Sequence, residues 1–146
     1  MKIEVKIDPA YQEPSVVILT DVMTEEVNDI LKKLSESAPQ VLSGIRAGSL
    51  EVLEQEDLIR AYANQGKVFA VTESGVYQLR LRLYELEERL DKARFVRISN
   101  SEIVNLKKVR SFDLGLTGTI CVRLADGTVT YVSRRYVSKI KHILGV

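Results

Sequence analysis

The sequence predicts an α+β chain that is mostly β. It is built of small antiparallel sheets with a few short helices, and it opens on a small β-β-α unit. Three observations carry this. Short runs rich in β-branched residues recur along the chain between turn-forming residues. Helical periodicity appears in only three places. One Asp-Gly pair, Asp126-Gly127, stands between two alternating runs, the strongest short-range signal for a hairpin.

The elements follow in order. Residues 3–8 alternate Ile3, Val5, Ile7 with Glu4, Lys6, Asp8 and read as a strand with one wet face. Residues 9–14, bounded by Pro9 and Pro14, read as a turn. Residues 15–20 are β-branched and read as a second strand. Thr24 has the chemistry of a helix N-cap, and Glu25 and Glu26 suit the positive end of a helix dipole. Val27, Ile30, Leu31 and Leu34 form one apolar stripe, and the helix is expected to end before Pro39. This unit is too small to stand alone.

A second section begins near Gly48. Leu50, Val52 and Leu53 read as a strand, as do residues 58–63, 67–72 and 75–79. Asn64-Gln65-Gly66 is the expected hairpin tip between two of these. Leu79, Leu83, Leu86 and Leu90 mark an amphipathic helix, with Glu85 and Arg89 spaced for an i, i+4 pair. Residues 119–124 and 128–133 flank Asp126-Gly127. A two-residue turn there sets Ala125 opposite Thr128, Leu124 opposite Val129 and Val122 opposite Tyr131, with the apolar residues on one face. Ser133 is the expected N-cap of a last helix. Val137, Ile140 and Leu144 are its buried stripe, and Gly145 lies beyond its end. The expected domains are residues 1–47 and 48–146.

Bulk properties narrow the class. A chain of 146 residues with 45% apolar and 28% charged residues has the size and composition of one globular domain or one domain with an appendage. No apolar run approaches a membrane span, and the alternating N-terminus lacks the apolar stretch of a secretory signal. A single cysteine, Cys121, rules out an internal disulfide and fits a cytoplasmic setting. Net charge is +1, but its distribution is uneven. Residues 94–146 carry ten Lys and Arg against three acids, and residues 1–93 carry eleven against seventeen. The basic back half points to an anionic partner.

Catalytic chemistry is not expected. The lone His142 and the lone Cys121 make neither a zinc set nor a nucleophile pair. Gly115-Leu116-Thr117-Gly118 is a turn, not a phosphate-binding loop. No metal, cofactor or small-molecule substrate is expected. The basic residues are more informative. Lys107, Lys108 and Arg110 fall at a strand start, and Arg134 and Arg135 in the first turn of the last helix. Cations there oppose the helix dipole, whereas the free N–H groups of a helix start attract phosphate. Two readings stand for this arginine pair: ordinary surface residues, or contacts to phosphate and guanine.

The residues also carry a resemblance. Residues 95–106, Phe-Val-Arg-Ile-Ser-Asn-Ser-Glu-Ile-Val-Asn-Leu, with Val109 and Phe112 after them, resemble the signature of the LytTR DNA-binding domain. The Asp-Gly hairpin and Ser133-Arg134-Arg135-Tyr136 follow in the family's order. Upstream, residues 79–90 are similar to its Leu-x-x-Leu-Glu-x-x-Leu helix, and residues 56–59 to its opening strand. Two places depart from the pattern: Ser99-Asn100-Ser101 stands where His-Arg-Ser is common, and Ala61-Tyr62-Ala63 where an aromatic-acidic pair is often found.

The resemblance, which covers residues 48–146, implies an elongated domain that inserts loops into successive major grooves of double-stranded DNA. It places Gln65 and Lys67, Ser99, Asn100 and Ser101, and Arg134 and Arg135 at the DNA, with Asn100 and Arg135 as the direct base contacts. Lys107 and Lys108 are expected at phosphates, and Asn105 is expected to tie a loop backbone. Residues 1–47 are too short for the receiver domain that precedes most LytTR domains. The implied protein is a short standalone regulator, a homodimer on paired repeat sites, with an inhibitory membrane protein as a possible partner. Three other classes compete: a protein-interaction module using the acidic N-terminal half, a single-stranded RNA binder, which lacks clustered aromatics, and an enzyme.

Overall fold

The computed structural model describes residues 1–36, 41–115 and 117–146, and the side chains of all of these except Ser35 and Glu36. The chain divides into two units, Met1–Pro39 and Gln40–Val146.

In the first unit the helix forms and the strands do not. α1 spans Glu25–Glu36. Thr24 caps it, its hydroxyl accepting from the Val27 N–H at 3.3 Å. Pro39, the expected stop, lies outside the described residues. Residues 3–8 and 15–20 form no strand and pair with no other segment among the described residues, which corrects the expected β-β-α unit to an irregular arm followed by a helix. The physical reason is the lack of a partner edge. Ile3, Val5 and Ile7 are at least 81% exposed. Val16, Ile18 and Met23 instead line an open apolar recess of about 290 Å³ against Val27 of α1.

The second unit is two antiparallel sheets and two helices. β1 (Leu42–Arg46) and β2 (Ser49–Leu53) form a hairpin closed by Ala47 and Gly48, both at positive φ. β1 has no counterpart among the expected strands, and it extends the sheet ahead of residue 48. β3 (Leu58–Asn64), β4 (Lys67–Thr72) and β5 (Gly75–Leu79) form where expected. Gln65 and Gly66, at φ 51° and 77°, turn β3 into β4. α2 covers Leu83–Arg89, shorter than the expected helix because Leu79 is taken into β5. β6 (Phe95–Ser99) and β7 (Glu102–Asn105) complete a seven-stranded sheet in the order β2-β1-β5-β4-β3-β7-β6. β8 (Val109–Leu114), β9 (Ile120–Leu124) and β10 (Val129–Val132) make a three-stranded sheet, and α3 spans Arg134–Leu144.

The large sheet buries both faces. Leu58, Ala61, Val68, Ala70, Leu79 and Ile103 pack with Leu83 and Leu86 of α2. On the other face Ile59, Val96, Ile98 and Val104 pack with Ile120, Val122, Leu124 and Val132 of the small sheet and Ile140 of α3. The alternation along β7 splits Ile103 and Val104 between the two cores, as a strand's period of two requires.

The register of β9 with β10 differs from the expectation by one residue. Val129 faces Arg123, Thr130 faces Val122 and Tyr131 faces Cys121. The loop holds three residues, not two. The Gly127 N–H donates to Leu124 O at 3.0 Å, and the Leu124 N–H to Thr128 O at 2.9 Å. Gly127 is left-handed at φ 90°, and Asp126 is not. This is a type I turn closed by a glycine bulge. The shift turns β10 over: Val132 is buried and Thr130 half-buried, while Val129 and Tyr131 are exposed. Leu144 is likewise exposed, and Gly145 takes the left-handed helix cap at φ 75°.

Candidate nucleic-acid interface

Three of the expected contact segments meet at one end of the large sheet. β3 and β7 run antiparallel with Tyr62 opposite Glu102, so the end of β3 lies beside the start of β7. The Ala63 N–H donates to Ser101 O at 2.8 Å. The turn carrying Gln65 and Lys67 therefore projects from the same end as the turn carrying Asn100 and Ser101. The start of α3 is tied to that second turn twice: the Ser133 N–H donates to Ile98 O at 2.9 Å, and the Tyr136 hydroxyl to Asn100 Oδ1 at 3.4 Å.

The scaffold beneath these turns is polar and specific. Arg97, half-buried on β6, aims its guanidinium at the turn backbone. Nε donates to Ser99 O at 2.7 Å, Nη2 to Asn100 O at 2.5 Å, and Nη1 to Glu87 Oε1 of α2 at 3.1 Å. The Ser99 hydroxyl accepts from the Ser101 N–H at 3.2 Å. One arginine thus satisfies two carbonyls of a tight turn and is neutralised by a carboxylate, an arrangement that fixes the turn's shape.

Glu102 is the second anchor. It is buried, and it accepts from Arg60 Nη1 at 2.8 Å and from the Thr130 hydroxyl at 2.5 Å. It therefore joins β3, β7 and β10, and through β10 it sets where α3 begins. Thr130 reaches it only because of the one-residue register shift.

Five arginines of the second unit are held in ion pairs. Arg46, Arg60, Arg94, Arg97 and Arg123 each pair with a carboxylate. The hydrogen bond from Arg123 Nε to Asp113, aided by that carboxylate's charge, raises the pKa of the arginine. Lys67, Arg134 and Arg135 are exposed and form no ion pair among the described residues, a property they share with other cations such as Arg82, Lys107 and Lys139; what sets them apart is their place. Those three stand at the end where the turns converge.

Lys107 and Lys108 are not part of that end. They lie in a short 3-10 turn after β7, with Lys108 O accepting from the Ala125 N–H at 2.7 Å. A four-residue strand of roughly 13 Å separates them from Ser101. Asn105 is buried, as its expected backbone-tying role requires. Its Nδ2 donates to Leu58 O at 2.8 Å, and its Oδ1 accepts from the Lys107 N–H at 3.0 Å.

Sequence reasoning missed Arg97, Glu102, Thr130 and Tyr136 as parts of the site. Glu102 carried a signal, a lone acid at the head of an apolar run. Arg97 carried none beyond the wet position of an alternating strand. No group of three or more His, Cys, Asp or Glu among the described residues could hold a metal ion. No described helix is long and apolar enough to cross a membrane.

A family model for the LytTr DNA-binding domain matches residues 48–145. The chain belongs to the LytTR family. Its relatives include proteins named as HTH-type transcriptional regulators in Staphylococcus aureus strains MSSA476 and MRSA252. They are 32% and 31% identical, over all of this chain and 99% of each relative. A solved LytTr DNA-binding domain from a Bacillus cereus response regulator superposes with a TM-score of 0.70 at 21% identity. It covers 75% of this chain and 100% of that one, a likeness of fold. Among the described residues no helix-turn-helix matches the relatives' label. A helix-turn-helix joins two helices by three or four residues, whereas α2 ends at Arg89 and α3 begins at Arg134, with five strands between them.

Proposed function

We propose that this LytTR chain is a transcriptional regulator that reads double-stranded DNA through two turns and a helix start. The observation that carries the reading is the convergence of the Gln65 and Lys67 turn, the Asn100 and Ser101 turn and the start of α3, held by Arg97, Glu102 and Tyr136. Asn100 keeps its two amide hydrogens and one oxygen lone pair beyond its Tyr136 bond, which suits the edge of adenine. Arg135 suits guanine O6 and N7. Gln65, Lys67, Ser99, Ser101 and Arg134 position the backbone, and Lys107 and Lys108 add phosphate attraction from further along the duplex. The regulator acts in the cytoplasm, as a homodimer on paired repeats.

The test is selection of binding sites from a random duplex library at near-physiological salt, beside an Asn100→Ala, Arg135→Ala variant. A repeated motif enriched by the wild type and not by the variant is the expected result. No enrichment by the wild type refutes the reading and favours a protein-interaction module. On the selected site Arg135→Ala costs about 1–3 kcal/mol and relaxes the preference, whereas Lys108→Ala weakens all duplexes alike. Affinity falls steeply with salt, because each neutralised phosphate releases counterions.

A further inference from the structure

We propose that the N-terminal arm is a self-pairing strand: residues 2–8 of two copies join antiparallel about a two-fold axis at Val5. This goes beyond the DNA-binding reading and does not depend on it.

The arm has the pattern of a strand and no partner. Residues 1–7 make no backbone hydrogen bond among the described residues, and every one of them is exposed. Ile7 is 96% exposed. A row of free N–H and C=O groups flanked by apolar side chains is a template for another strand.

Charge selects the occupant. Pairing two copies about Val5 sets Lys2 against Asp8, Glu4 against Lys6, Ile3 against Ile7 and Val5 against Val5. Every charge meets its opposite on one face, and every apolar residue meets another on the opposite face. Moving the axis by one residue to Glu4 sets Glu4 against Glu4 and Lys2 against Lys6. Moving it to Lys6 sets Lys6 against itself and Glu4 against Asp8. A parallel in-register pair sets each charge against its like. Opposite charges across an antiparallel pair stabilise it and like charges oppose it, so one register stands apart.

The competing strand within the chain does not match. Residues 15–20, Ser-Val-Val-Ile-Leu-Thr, carry no charge to meet Lys2, Glu4, Lys6 or Asp8. A two-stranded ribbon by itself is marginal. The recess lined by Val16, Ile18, Met23 and Val27 offers the same unit an apolar surface for the ribbon's Ile3, Val5 and Ile7 face.

The test is sedimentation equilibrium of the full chain without DNA. The wild type is expected to dimerise. Glu4→Lys and Lys6→Glu each create two like-charge pairs and weaken the dimer about tenfold, and the two together restore it. In a Cys121→Ala background, Val5→Cys forms a disulfide-linked dimer on mild oxidation. Ile3→Cys does not, because its two sulfurs stand roughly 13 Å apart along the strand. A monomeric wild type overturns the proposal. So does a dimer that ignores the charge reversals, a double variant that stays weak, or equal cross-linking at positions 3 and 5. The arm is exposed, so none of these substitutions threatens the fold. Loss of DNA binding in the site selection leaves this outcome untouched.

Discussion

Residues 3–8 and residues 67–72 carry the same kind of pattern and meet different fates. Ile3, Val5 and Ile7 alternate with charges and remain exposed and unpaired among the described residues. Val68, Ala70 and Thr72 alternate just as plainly, yet they are buried on β4 between β3 and β5. Alternation specifies which side chains share a face. It does not supply the neighbouring strands or the helix that cover that face, and without those the backbone bonds of a strand are not made. In the second unit the cover comes from α2 on one side and from the small sheet with α3 on the other.

The comparison can be broken first at the cores. Leu86→Ala removes a fully buried side chain between α2 and the sheet and should cost about 3–5 kcal/mol. Ile7→Ala, at low protein concentration, should change stability by less than about 0.5 kcal/mol. Denaturant titration of both variants checks the pair, and similar losses would mean that the arm is covered in solution. Next comes the polar interior. Glu102→Ala leaves the Arg60 charge without its carboxylate and frees Thr130, at a cost of about 3 kcal/mol. Because Glu102 also sets the start of α3, this variant should lose DNA affinity even at temperatures where it remains folded. Asn105→Ala leaves a buried carbonyl at Leu58 and the Lys107 N–H unsatisfied, for about 2 kcal/mol in the same titration. The smallest effect is expected at the surface. Tyr136→Phe removes one long hydrogen bond to Asn100 and should weaken binding to the selected site about twofold, with stability unchanged.

The hairpins show where reading a sequence stops. Asp126-Gly127 promised a two-residue turn and made a three-residue one, because Asp126 keeps an ordinary φ and only Gly127 is left-handed. Ala47-Gly48 and Gln65-Gly66 close the two-residue turns. A dipeptide preference of a few tenths of a kcal/mol yields to packing: the observed register buries Val132 and brings Thr130 to Glu102. β1 was invisible for a related reason. Leu42-Ser43-Gly44-Ile45-Arg46 is a poor strand by composition, but a Cβ on Gly44 would come within 2.6 Å of the Tyr77 Cβ, so that close approach needs glycine.

By itself the sequence determined the family, the strands from β3 to β5, the caps at Thr24 and Gly145, the buried amide of Asn105 and the charge pattern of the arm. All of these depend on neighbours in the chain or on motif order. The tertiary structure alone showed that Gln65, Lys67, Asn100, Arg134 and Arg135 lie together at one end of the large sheet while Lys107 and Lys108 do not. It also decided that Arg97 and Glu102 hold that end in place. The physical reason is that these relations run through hydrogen bonds between residues far apart in the sequence, such as Arg60 and Glu102, 42 residues apart. Such bonds are set by sheet order and register, which no local pattern encodes.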